Sequence, residues 1–151
     1  MIAVRTAKSR IEHQEGMNHL WIQLQPIGDV KNARLQIILP SGVFRRRNLS
    51  NFYENDAGEI VIYETNVADG LFIEIYTQEP IMTGNKTILF ELSFEDKKGT
   101  INKVEHSLSI EVVDEEIFDE TSIDKEVVKK IKELRAYSYE KTNDYLSEYY
   151  R

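Results

Sequence analysis

Val104, His106, Leu108, Ile110 and Val112 alternate without a break against Glu105, Ser107, Ser109 and Glu111. A period of two residues is that of a half-buried β-strand and not of a helix. Upstream, Ile88, Phe90, Leu92 and Phe94 repeat the pattern. The intervening Glu95-Asp96-Lys97-Lys98-Gly99 supplies turn chemistry, with a glycine where a positive φ is expected. The two runs predict a β-hairpin with a large apolar inward face, and such a face must be covered by a second layer.

The chain before residue 120 repeats this theme. An edge strand is expected over Ile2 to Arg10, where Arg5, Lys8 and Arg10 suit a margin that must not pair with strangers. Leu20, Ile22 and Leu24 then alternate with Trp21, Gln23 and Gln25. Leu35, Ile37 and Leu39 mark a strand over Ala33 to Leu39, stopped by Pro40-Ser41-Gly42 because proline cannot donate to a ladder. Further strands fit Glu59 to Glu64 and Leu71 to Thr77. About seven strands, with no helical crossover to join parallel ones, predict a mostly β fold: an antiparallel immunoglobulin-like β-sandwich with a C-terminal α-helix. A jelly roll or small barrel is the alternative. Val43 to Glu59 shows no period and reads as a long loop, a kind of segment that is often functional.

Behind Asp114 the pattern changes. Asp114, Glu115, Glu116, Asp119 and Glu120 read as an acidic connector. Ile123, Val127, Ile131 and Leu134 then recur at helical spacing behind the N-cap candidates Thr121 and Ser122, predicting a helix from about Ile123 to at least Tyr137. The expected division is a sandwich over 1–113, a connector over 114–121 and the helical segment over 122–151. A helix of this length is marginal alone, so its stripe must dock. The outward apolar residues Trp21, Phe72 and Leu89 are the candidate surface, within a larger patch that also holds Ile38, Val61, Tyr63 and Tyr76. Tyr139, Tyr145, Tyr149 and Tyr150 would extend the contact beyond one sheet face, which favours a helix used in assembly.

Composition narrows the chemistry. The 151 residues suit one domain. The absence of cysteine excludes disulfides, cysteine metal sites and thiol nucleophiles. A net charge of −7 argues against nonspecific nucleic-acid binding. No apolar run is long enough for a membrane span or a signal peptide. A cytoplasmic location is the default expectation, or an extracellular or envelope one if the chain is an excised domain. Residues 1–50 hold eight Lys and Arg against three Asp and Glu, while the remainder holds eleven against twenty-three.

The run from Ala33 to Val43, Gly58-Glu59-Ile60-Val61-Ile62 and Gly70-Leu71-Phe72-Ile73-Glu74-Ile75 resembles bacterial immunoglobulin-like modules of cell-surface and envelope proteins, those of the CARDB or DUF11 type. The likeness covers roughly residues 15–113. It implies a sandwich used for spacing or adhesion and carries no active-site motif.

His13, His19 and His106 match no recognised metal-site spacing, and neither a Gly-x-Ser-x-Gly elbow nor a phosphate loop occurs. No cofactor and no metal are expected. Arg45-Arg46-Arg47, flanked by Phe44 and Phe52-Tyr53, is the local feature suited to gripping an acidic group, on a partner or on this chain. The sequence therefore favours a noncatalytic interaction or assembly module. It would bind a protein partner or a second copy through the sandwich face and C-terminal helix, using Arg45, Arg46, Arg47, Trp21, Phe72, Val127, Ile131 and Leu134. The alternative is a carbohydrate- or small-ligand-binding module using exposed aromatics.

Overall fold

A computed structural model describes residues 2–25, 28–63, 67–114 and 122–136. They form β1 (Ile2–Thr6), β2 (Arg10–Glu12), β3 (Met17–Leu24), β4 (Lys31–Ile38), β5 (Val43–Arg45), β6 (Ile60–Ile62), β7 (Val67–Thr77), β8 (Gly84–Glu95), β9 (Ile101–Val113) and α1 (Lys125–Ala136). One sheet has the order β1-β3-β7-β5 and the other β2-β9-β8-β4-β6. The expected sandwich is present. The added strands are short: β5 lies where a loop was expected, and the expected first strand is split into β1 and β2. Every strand pair is antiparallel except β2 with β9, which run parallel. The tyrosines from Tyr137 onward, Thr121 and the acidic run 115–121 lie outside the described residues.

Period-two alternation explains the core. Leu20 and Ile22 of β3 and Leu71, Ile73 and Ile75 of β7 turn inward, against Leu35, Ile88, Phe90, Leu92 and Ile110 of the opposite sheet. Each is essentially fully buried, a gain of about 1.5–3 kcal/mol per large apolar side chain. At the hairpin tip Asp96 accepts hydrogen bonds from the backbone N–H groups of Lys98 and Thr100, and Gly99 takes φ 79°. Gly70, at φ 77°, lies where the β3–β7 register shifts, and a Cβ there would stand 2.6 Å from both the Ile22 carbonyl and the Trp21 indole nitrogen.

Where β1 ends, the chain crosses from one sheet to the other. The Ala7 N–H still donates to the His19 carbonyl at 2.9 Å. One residue on, the side chain of buried Asn18 takes over, accepting from the Lys8 N–H and donating to the Lys8 carbonyl, both at 2.9 Å. A side-chain amide thus satisfies the backbone groups that the ladder no longer reaches. Beyond it, β2 lies beside the end of β9, with Arg10 bound to Glu111 at 2.7 Å.

Much of the uneven charge is paired within the fold. Arg5 pairs with Asp124 and Glu126, Arg34 with Glu59, Arg45 with Glu54 and Arg46 with Glu74. Five arginines of the basic first third, Arg10 among them, are thus paired with acidic groups from the rest of the chain.

Candidate functional site

The outer face of the four-stranded sheet gathers most of the residues with binding character. β3 and β7 set Trp21 opposite Phe72, His19 opposite Glu74 and Met17 opposite Tyr76. At one end the Trp21 and Phe72 rings stack with centroids 5.4 Å apart, and the Arg5 guanidinium lies 5.0 Å from the Trp21 ring. Here α1 docks. Val127, Val128 and Ile131 are fully buried in one cluster with Ala7, Met17, Trp21 and Phe72, and Leu134 and Leu49 pack against it. The sequence-predicted stripe and the Trp21–Phe72 surface therefore meet within one chain. Leu89 does not join them: it belongs to β8, in the other sheet. The expected outward patch is likewise divided, because Ile38, Val61 and Leu89 lie on strands of the five-stranded sheet.

The entry to α1 is fixed by Asp124, two residues beyond the expected cap Ser122; the other expected cap, Thr121, lies outside the described residues. Its Oδ1 accepts from the N–H groups of Glu126 and Val127, while Arg5 donates to both of its carboxylate oxygens. Burial pushes this carboxyl up, but Arg5 and the two backbone donors outweigh it and hold Asp124 below the usual range.

The middle of the face is polar and buried. His19 Nε2 stands 3.3 Å from Glu74 Oε1, and Arg46 Nε donates to Glu74 Oε2 at 2.7 Å. Burial alone would raise the Glu74 carboxyl; hydrogen bonds and charge from His19 and Arg46 overcome it and leave the group ionised below its ordinary range. Such a carboxylate is a poor proton acceptor, so the arrangement is suited to holding a surface together rather than to acid–base chemistry. The Arg46 guanidinium also lies 4.6 Å from the Tyr76 ring, and Phe44 packs 5.7 Å beyond it. Glu15, Met17, Arg46, Glu74, Tyr76 and Glu79 line an open cleft of about 600 Å³ beside this stack.

The arginine run is split by function. Arg45 turns into the fold, donating to Glu54 at 2.9 Å and to the Gly58 carbonyl at 2.8 Å. Arg46 spans Glu74 and Tyr76. Arg47 is exposed, with no ion pair among the described residues. The segment expected to be a loop is ordered by its own polar groups. Asn48 bonds Phe52 and Glu54, and Asn55 accepts from the N–H groups of Ala57 and Glu59. Phe44 was expected beside the arginine run, but His19, Glu74 and Tyr76 were not joined to it from sequence. The available signal was a glutamate between Phe72 and Tyr76 on a strand's outward face.

No family model and no curated protein matches the sequence. Among solved structures the chain is similar to a variant of BcpA, the major pilin subunit of Bacillus cereus. The TM-score is 0.50 at 12% identity, over 76% of this chain and 40% of that one. A second crystal structure of BcpA gives 0.43 at 10% identity, over 75% and 41%. The chain thus spans less than half the length of the pilin chains. The first likeness shows the fold, an immunoglobulin-like β-sandwich. Among the described residues no helix is long and apolar enough to cross a membrane.

Proposed function

We propose that the chain is a noncatalytic assembly module that binds another protein through the Arg46–Tyr76–Phe44 stack, with Arg47 at its margin. The observation that carries this reading is an arginine stacked on a tyrosine beside a phenylalanine that is 44% exposed, at the mouth of a cleft. Arginine and aromatic residues dominate protein interfaces, and here Glu74 holds the arginine in place before any partner arrives. Trp21, Phe72, Val127, Ile131 and Leu134 act from beside the site, seating α1 and stiffening the sheet. Arg45 fixes the neighbouring segment through Glu54. Glu15 and Glu79 at the rim suit a partner that brings a basic group to the cleft and an acidic one to Arg47. The likeness to a pilin subunit supports assembly over catalysis.

Affinity capture from the native host tests this, comparing the intact chain with a Phe44→Ser/Arg47→Ser bait. A specific protein retained by the first should bind the second at least about tenfold more weakly, as expected for loss of interface hot spots, and with a shallower salt dependence. Equal recovery with an unchanged salt slope would remove the stack from the interface. The carbohydrate reading has its own support in Tyr53 and Tyr63, 51% and 75% exposed. A glycan array with a Tyr63→Ala control separates the two.

A further inference from the structure

Among the described residues the long hairpin has an open margin. β8 pairs with β9 along its whole length, from Val112 to Ile101, whereas β2 covers the other side only from Glu111 to Val113. The Val113 carbonyl accepts from the His13 N–H at 2.8 Å, on the β2 side. In an antiparallel ladder both backbone groups of a residue point the same way and neighbours alternate. The odd-numbered residues of β9 therefore turn their N–H and C=O groups to that side. Among the described residues no strand meets them from Ile101 to Ser109.

Side chains along this stretch repeat the asymmetry. Ile88, Phe90 and Leu92 of β8 are buried, but their partners Leu108, His106 and Val104 on β9 are only half-buried, with no described strand on the flank beside them. On the outer face Glu105 lies directly opposite Glu91, a like-charge pair, while Lys103 reaches Glu91 at 3.7 Å. Glu105 has no ion-pair partner among the described residues.

We propose that this edge receives the same edge of a second copy, antiparallel about a two-fold axis at Val104. In that register Lys103 of each copy lies opposite Glu105 of the other, giving both glutamates a cation. Ile101 faces Ser107, the two Val104 side chains meet, and the half-buried row is closed. About eight interchain N–H···O bonds join the two five-stranded sheets into one. The charges set the register. Moving the axis by one residue places Lys103 against Lys103 or Glu105 against Glu105, and like charges directly opposite one another are unfavourable. The same two charges blunt the edge against strands that lack the complementary pattern.

This interface is separate from the arginine–aromatic face and is read by self-association alone, so either can fail without the other. The test is sedimentation equilibrium of the full chain at up to about 1 mM, because strand-edge contacts of this size are weak. The unaltered chain should form a dimer. Lys103→Glu and Glu105→Lys should each weaken it at least about tenfold, while circular dichroism shows both still folded. Mixing the two variants, or combining both substitutions in one chain, should restore association, which a general loss of stability cannot do. A chain that stays monomeric, single variants that associate as before, or a mixture and double variant that stay apart would each overturn the proposal.

Discussion

A chain truncated after Asp119 is expected to lose most of its folding stability and to expose its one tryptophan. Val127, Val128 and Ile131 are fully buried against the four-stranded sheet. At about 1.5–3 kcal/mol each they contribute roughly 5–9 kcal/mol, a large share of the roughly 5–15 kcal/mol that holds a typical domain folded. Trp21, now 5% exposed, would face water beside Phe72 without its cover. Thermal unfolding should fall by about 10–30 °C, with a red shift in tryptophan emission. A milder variant, Ile131→Ala, leaves the helix in place and should cost about 2–5 kcal/mol. An unchanged melting temperature with unchanged emission would show that α1 does not seal this face. If truncation instead dissociated an oligomer while stability held, the helix would be an assembly element, the role favoured from its tyrosine-rich continuation.

Replacing Glu74 by alanine is expected to cost about 2–3 kcal/mol near pH 7, the penalty for leaving a buried polar partner unmatched. The two partners respond differently. Arg46, its side chain 62% exposed, can turn to solvent, whereas His19 is fully buried and cannot. The folded protein holds the Glu74 carboxyl below its usual range. Its contribution is therefore present above the ordinary glutamate value of about 4.3 and is lost as pH falls through the lower folded value. Glu74→Gln, which keeps the shape and removes the charge, should flatten this part of the acid limb. The measurement is melting temperature against pH for both chains. Parallel curves at acid pH would show that Glu74 is not a source of the acid sensitivity.

The strands were legible wherever alternation ran long enough. β3, β4, β8 and β9 each present inward residues at every second position, and the helical spacing of Val127, Ile131 and Leu134 announced both α1 and its need for cover. Trp21 and Phe72 were recognisable as candidate cover because they are large apolar residues at outward positions of their strands. Leu89 looked equivalent, and only the assignment of strands to sheets separates it from them. Three-residue strands such as β2 and β5 carry too few positions for a period. The parallel pairing of β2 depends on where the chain is carried after Asn18 replaces a backbone partner, which no local pattern encodes. The His19–Glu74–Arg46 group was hidden for a related reason. Its members are far apart in sequence, and they meet only through the registers of β3, β7 and β5.

Asn18 lets the chain leave one sheet and lie beside the end of the other, and this crossing decides how the fold would resist a pull along these strands. β2 and β9 run in the same direction, so a pull toward the start of β2 and an opposite pull from the end of β9 slide the two strands along one another. The rungs between them, with the Arg10–Glu111 pair, are stressed together rather than one after another. Peeling would open such a seam bond by bond; sliding requires the whole row to yield at once. Under that direction of pull, this three-residue strand would act as a shear clamp.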